Sequence, residues 1–468
     1  MMRKVKYIIA ILVAAVALVS CGGGQDYYKA MKVPEKMFYK GQYKEAARML
    51  LPEVNKSGKD QLLFMMECGL MLHTAGDFET SNKVLLPARK LAQITPISIT
   101  KQAASFLTND RNSNYRGEDF EKVLIHVYLG INYLMMREYE DARVEFKAVN
   151  NELSKIKSEN GEARYKQNIM AKYLTAIAFE IVGEENNDEK DIEFAYIEYK
   201  QIYALNSGLA MVRDDLLRVS KRLGYDDEYA DWRKKFGKGY NESSNSGELI
   251  TIFQAGRSAV KKSRGSLLKD PEMGPVIRVT INTGNLTAGV TVAAILVTLK
   301  NAENPIPKFV KRSNRVRRVR ISAGGESVNT IELEDVENTA VKNLEDDYGR
   351  LYKRVAASIA TKAIASVVAG IAAKKIAEQS KQLGQFSGLI GAAVGMGTGA
   401  ALFSQMKPDL RCWHTLPANF QLGRMTLKPG KYKANFTLSG AGGNINQIEK
   451  EVEIKKGEKT LVNLRTLY

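Results

Sequence analysis

The chain has 468 residues, is 44% hydrophobic, and carries a net charge of +17 with three cysteines and three histidines. That is enough apolar material for roughly two to three domains. It excludes a disulfide framework and leaves no recognisable metal-ligand spacing. The basic balance favours anionic neighbours such as lipid headgroups, phosphate-bearing polymers or acidic proteins, and an exported chain has little occasion to meet nucleic acid.

Arg3, Lys4 and Lys6 precede an unbroken apolar run from Tyr7 to Val19. The run is shorter than the ~20 residues a transmembrane helix needs and has the flanks of a signal-peptide core. Leu18-Val19-Ser20-Cys21, followed by Gly22, Gly23 and Gly24, resembles a bacterial lipoprotein signal. The resemblance implies a signal peptide over 1–20, a lipidated Cys21 and a short tether over 21–25. Removing three cations takes +17 to +14. Acyl chains contribute about 0.8 kcal/mol per buried methylene, so two or three on one cysteine hold a domain at a membrane. Glycines after Cys21, in place of the aspartate that favours inner-membrane retention, point to the outer membrane and a periplasm-facing protein, with surface display left open.

Residues 26–236 have helical periodicity. Gly41-Gln42-Tyr43 and Gly76-Asp77-Phe78 recur 35 positions apart, near the ~34-residue period of tetratricopeptide repeats. Gly130, Tyr133, Tyr139, Ala142 and Phe146 match that pattern at its small and aromatic positions. Gly69, Leu72, Leu85 and Ala88 match it earlier, and Tyr173, Ala176, Phe179, Ala195, Tyr196 and Tyr199 match it later. Such helix pairs stack into an α-solenoid with a concave surface for proteins or peptides. The segment 93–114 breaks the period and leads into Tyr115, Glu118, Asp119, Glu121, His126 and Tyr128. The acids suit a helix start, and Glu121 and His126, five apart, share a face only loosely.

Gly, Ser, Asn and Lys dominate Lys234 to Glu248, which reads as part of a linker over 237–270, with a short helix from Leu249 to Lys262. Strands are expected at Val276–Ile281, Val290–Leu299, Val316–Ile321 and Val328–Leu333. Helices follow from Val336 to Ile376. More strands are expected at Phe420–Leu427, Tyr432–Leu438, Glu451–Ile454 and Thr460–Leu464, joined by turns at Pro429-Gly430 and Lys456-Gly457. The expected architecture is therefore α+β. An N-terminal tetratricopeptide-like solenoid precedes a β-sandwich-like domain split into 271–334 and 408–468 by a helical insertion, 335–407. Within the insertion, Leu383 to Met406 holds no charge, and Gly391, Gly395 and Gly399 fall on one helix face, where another helix can pack closely. A soluble hairpin, a membrane contact and a self-associating surface are all compatible with this pattern. Upstream, Lys308, Lys311, Arg312, Arg315, Arg317, Arg318 and Arg320 form a basic run, either a solvated strand face or a strip for headgroup phosphates or an acidic partner.

Neither Gly-x-Ser-x-Gly, His-Glu-x-x-His nor a phosphate-binding glycine loop occurs. Ser-x-x-Lys at Ser154, Ser258 and Ser404 has no companion motifs. The expectation is a protein that is not an enzyme and needs no metal or cofactor.

The lipobox, the repeats, the segment Tyr115 to Leu134, and Leu410-Arg411-Cys412-Trp413-His414-Thr415-Leu416-Pro417 with Gln421-Leu422-Gly423-Arg424 together resemble a family of uncharacterised bacterial lipoproteins. That family carries tetratricopeptide-like repeats before a C-terminal β-rich domain. Its genes often neighbour small lipoproteins implicated in activating cell-wall synthases. The resemblance implies a lipid-anchored scaffold that binds an envelope protein through its repeats, in cell-wall synthesis or envelope assembly. Tyr115, Glu121, His126, Tyr128, Arg411, Trp413 and Arg424 are the candidate partner-binding residues, although Trp413 also suits an internal plug. The other reading is a structural subunit of a self-assembling envelope complex, a homo-oligomer joined through Gly391, Gly395 and Gly399.

Overall fold

The computed structural model describes residues 27–92, 114–156, 168–240, 245–275, 302–379, 384–404 and 406–467, with Ile277, Val297 and Leu299. The expected signal peptide, Cys21 and tether, the insert 93–113 and most of 276–301 lie outside the described residues.

Ten helices form five successive pairs: α1 (Tyr27–Phe38) with α2 (Tyr43–Val54), α3 (Gln61–Thr74) with α4 (Phe78–Leu91), α5 (Asp119–Met136) with α6 (Tyr139–Lys155), α7 (Ile169–Asn186) with α8 (Glu189–Leu205), and α9 (Ala210–Arg222) with α10 (Asp226–Phe236). The expected tetratricopeptide-like repeats are present. Small residues set the pairing distance. A Cβ on Gly69 would lie 2.4 Å from Leu85, and one on Gly130 would lie 2.5 Å from Phe146. Both contacts join residues sixteen apart, so the same close approach recurs from one pair to the next. Phe146 and Phe179 are core, whereas Tyr133 is only half-buried. Side chains close the helix starts: Asp77 accepts from the Thr80 N–H, and Asn168 from the Ala171 N–H, satisfying donors left open in a first turn.

The β-rich region has two four-stranded sheets. The first runs β10 (Lys459–Arg465), β1 (Gly247–Ala255), β7 (Asn419–Leu427), β6 (Ile331–Asp335); the second runs β5 (Glu326–Asn329), β4 (Arg318–Ala323), β8 (Gly430–Gly440), β9 (Gly443–Ile454). A separate ribbon pairs β2 (Val260–Lys262) with β3 (Lys308–Val310). β10 lies parallel to β1, and the other pairings in the two sheets are antiparallel. Leu249, Phe253, Ile321, Phe436, Ile454 and Leu464 fill the space between the sheets. On its other face the first sheet sends Ile250, Ile252, Phe420 and Leu422 into the solenoid core. The fold is thus layered: solenoid, first sheet, second sheet.

Several expectations are corrected. Leu249 to Lys262 is strand-containing, not helical, and the supposed linker 237–270 contains β1, an interior strand of the first sheet. The β-rich region therefore begins at Gly247 rather than at 271. Both faces of β1 are covered, so Leu249, Ile250, Ile252 and Phe253 are all buried without alternation, a pattern that does not separate strand from helix. Val328–Leu333 is two strands in different sheets, divided at Thr330. Ile277, Val297 and Leu299, expected in strands, are helical. Ile277 and Leu299 are buried in a third core with Val355, Ile359 and Phe403. The helix disfavour of β-branched residues is only a few tenths of a kcal/mol each, and packing outweighs it.

The insertion separates β6 from β7 as expected. It comprises α11 (Val336–Glu345), α12 (Tyr348–Glu378) and α13 (Ser387–Ser404). Gly391, Gly395 and Gly399 are buried on one face of α13. A Cβ on Gly370 of α12 would meet the Gly391 carbonyl at 2.8 Å and the Gly395 Cα at 3.4 Å. The glycine face is thereby packed against the chain's own α12.

Candidate functional site

The segment 409–418, which leads into β7, lies in the solenoid. Its hold begins with charge: Arg411 donates to both Asp409 oxygens and, at 2.6 Å, to Asp60 of the repeats. The next residues are held through their backbone. The Trp413 N–H donates to Glu121 at 2.7 Å, the His414 N–H to Glu67 at 2.7 Å, and the Thr415 hydroxyl to Glu67 at 2.5 Å. The carbonyl of His414 accepts from Tyr39 at 3.0 Å and from Arg312 at 2.7 Å. Trp413, fully buried, packs against Tyr128 with ring centroids 5.6 Å apart. A solenoid recognises a peptide by this kind of grip on an extended segment; here the peptide is part of the same chain.

Glu67 is the lone acid of an apolar helix, whereas Glu121 lies in the first turn of its helix beside Asp119 and the N-cap Glu118. Burial pushes the Glu121 carboxyl up to about 7, aided by Glu118 and opposed by Lys261, Tyr115 and the Trp413 N–H. Burial also raises Glu67, opposed by His414, Thr415 and Tyr27. Glu121 closes a capping box with the Glu118 N–H at 2.9 Å, so the expected helix-start role holds, although its side chain is buried rather than solvated.

A polar spine continues the seam. His73 shares its Nδ1 with Asn132 at 2.6 Å and its Nε2 with Gln254 of β1 at 2.7 Å; Gln254 also accepts from the Tyr128 hydroxyl at 3.1 Å. Burial pulls the His73 pKa down to about 4, so the ring is neutral and links repeats to sheet by hydrogen bonding.

At the far end, Arg424 of β7 donates to Glu180 at 2.8 Å, Asp215 at 2.9 Å, Glu248 at 2.7 Å and Tyr199 at 3.0 Å. Arg218 reaches Glu180 at 2.6 Å, and Lys459 lies 3.1 Å from the same carboxylate. Burial alone would raise the Glu248 pKa, but Arg424, Arg218 and Lys459 bring it down to about 2. Cations and carboxylates are comparable in number here, which a buried cluster requires.

Of the expected partner-binding residues, Tyr115, Glu121, Tyr128, Arg411 and Trp413 are thus brought together at one end of the seam, and Arg424 lies at the other. Tyr115, Glu121, Tyr128, Arg411, Trp413 and Arg424 are buried in the seam, and their availability to an outside partner is overturned: the apolar and charged groups that suited a ligand are satisfied internally. His126 stands apart from Glu121 and bonds Glu145 at 2.7 Å. The basic run divides likewise. Arg312 is structural, donating to Tyr39, Ser258 and His414, whereas Arg315, Arg317, Arg318 and Arg320 are exposed. Sequence reasoning missed Glu67, His73, Glu180, Asp215, Gln254 and Lys459. The available signal was a single acid in an otherwise apolar helix, as with Glu67 in Gln61–Thr74.

Among the described residues no cluster of potential metal ligands occurs. No protein-family model matches the chain, and no curated protein is similar to it. Among solved structures, the MamA RS-1 ArsTM double mutant is 15% identical over 45% of this chain and 93% of its own, with a TM-score of 0.30. A Podosopora anserina putative kinesin light chain with nearly identical TPR-like repeats is 11% identical over 44% and 91%, with a TM-score of 0.29.

Proposed function

We propose that this protein is a membrane-tethered, periplasm-facing scaffold of the bacterial envelope that engages a protein partner through the outward surface of its repeats rather than through their groove. The observation that carries the reading is the filled groove: segment 409–418 takes the place a peptide ligand would occupy. What is left outward includes Met49, Leu91, Val144, Phe194 and Ile197, all on the second helix of a pair and all exposed. Singly exposed apolar residues are ordinary; their recurrence on α2, α4, α6 and α8 supports a docking face. The lipid anchor at Cys21, the outer-membrane address and a role in cell-wall synthesis or envelope assembly belong to this proposal, supported by the lipobox and the family resemblance. The buried carboxylates have structural roles in this reading, and the protein is not an enzyme.

The test is photo-crosslinking in cells from positions 144 and 194. The expected result is one envelope protein captured from both positions and lost on Val144→Asp or Phe194→Asp while the chain stays folded. Capture that survives both substitutions would overturn the outward-surface reading.

A further inference from the structure

The hairpin of α12 and α13 is built unlike the rest of the molecule. Its inner faces are closed: Val355, Ile359, Ala363 and Val367 enter a small core with Leu267, Ile277 and Phe403, and Gly391 and Gly395 meet Gly370. Its outer face is apolar and open, with Ile364 55% exposed, Leu389 71% and Met396 40%. α13 contains no charged residue. In α12 the nineteen residues Val355–Ala373 contain one, Lys362, which is buried against the inner side rather than turned outward.

Charge is placed at the two ends. Arg350, Lys353 and Arg354 precede Val355, while Lys374 and Lys375 follow Ala373. From Tyr348 to Ser404 there are seven basic residues and a single acid, Glu378, with Glu345, Asp346 and Asp347 just before Tyr348 and Asp347 paired to Arg350 at 2.6 Å. At about 1.5 Å per residue, nineteen residues measure about 28 Å, close to the ~30 Å apolar thickness of a bilayer. Tyr348 and Tyr352, stacked at 5.6 Å, sit at the basic end nearest the body of the protein, where aromatic side chains favour the headgroup boundary.

We propose that this hairpin enters a lipid bilayer with anionic headgroups, Arg350, Lys353 and Arg354 at one headgroup layer and Lys374 and Lys375 at the other, and Ile364 and Met396 facing acyl chains near mid-depth. The argument is the match of apolar length and basic flanks to a bilayer; a glycine stripe alone would serve a soluble hairpin equally well. The surface is distinct from the outward face of the repeats, so its failure leaves the scaffold reading standing.

The test uses the full-length protein reconstituted in phosphatidylethanolamine–phosphatidylglycerol vesicles whose acyl chains are brominated at mid-length. A fluorophore is placed at Ile364→Cys, at Met396→Cys, or at Val144→Cys on the repeats as a tethered control. Cys68 and Cys412 are buried and the Cys21 thiol is taken up by the proposed lipid, which leaves the introduced thiol to be labelled. These positions are exposed, and an unchanged melting temperature confirms that each variant is folded. Bromine quenching at 364 and 396 is expected to be at least threefold stronger than at 144. Equal quenching at all three positions overturns the proposal. So does shielding of 364 and 396 by a second copy, seen as excimer emission from pyrene at those positions without differential quenching.

Discussion

The two ends of the seam bury carboxylates in opposite ways. At the Arg424 end, Glu180, Asp215 and Glu248 face Arg424, Arg218 and Lys459, and Glu248 stays ionised with a pKa near 2. At the Trp413 end, Glu67 and Glu121 are met mainly by backbone N–H groups and hydroxyls, and Glu121 rises to about 7. Burial is comparable at both ends, so it does not decide the direction. Glu248, within reach of Arg424, Arg218 and Lys459, is lowered, whereas Asp215, which shares Arg424 and Arg218 with Glu180, stays raised, so the balance of facing cations against burial and neighbouring acids decides. Glu248 and Glu121 should respond to pH with opposite sign. A lowered carboxyl contributes stability above its unfolded pKa and loses it as pH falls through the folded value. A raised carboxyl contributes below its unfolded pKa and loses as pH rises.

The sharpest break is Arg424→Met, which strips the cation from three buried carboxylates. It should cost about 3–5 kcal/mol in denaturant unfolding and make stability fall, rather than hold, as pH rises from 5 to 8. A smaller loss with an unchanged pH slope would mean that Arg218 and Lys459 suffice. Glu121→Gln acts on the opposite end. The Glu121 contribution should decline between about pH 4.5 and 7 as its proton is lost, against the opposite slope of His73 over about pH 4 to 6.5, so this variant should make the pH slope of stability more positive, by up to about 3 kcal/mol across that window, read as Tm against pH; an unchanged slope would show that another group titrates. Gly130→Ala, in the repeats and away from both ends, should cost about 1–3 kcal/mol, because its new methyl meets Phe146; it should leave both pH slopes intact. Lys433→Ala, removing an exposed pair with Glu449 at 3.4 Å, should change stability by no more than about 0.5 kcal/mol, a baseline for the other three.

The repeats were legible because their signal is local: Gly69 with Leu85 and Gly130 with Phe146 lie within one hairpin, and the required small and large residues recur at fixed offsets. The antiparallel strands after Phe420 were legible from alternation and from the turns between them. β1 was not, since coverage on both faces erased its period. The site was half legible. Arg411, Trp413 and Arg424 were singled out correctly as unusual, but their partners, Asp60, Glu121 and Glu180, lie hundreds of positions earlier. A segment able to satisfy a solenoid groove from outside has the same composition as one that does so from within, so sequence alone could not distinguish recognition from self-recognition.

The order of strands in the first sheet has a consequence for how the molecule is made. β1 is flanked by β7 and β10, whose residues lie more than 160 positions downstream. During synthesis, or emergence from an export channel, the repeats are complete while β1 has neither neighbour and segment 409–418 has not yet appeared. Pairing across such sequence separations is slow, and an unpaired apolar strand invites association with other chains. The nascent protein therefore passes through an interval with an open solenoid groove and an exposed β1, and deleting β10 would leave β1 with one edge unpaired even after segment 409–418 and β7 have docked.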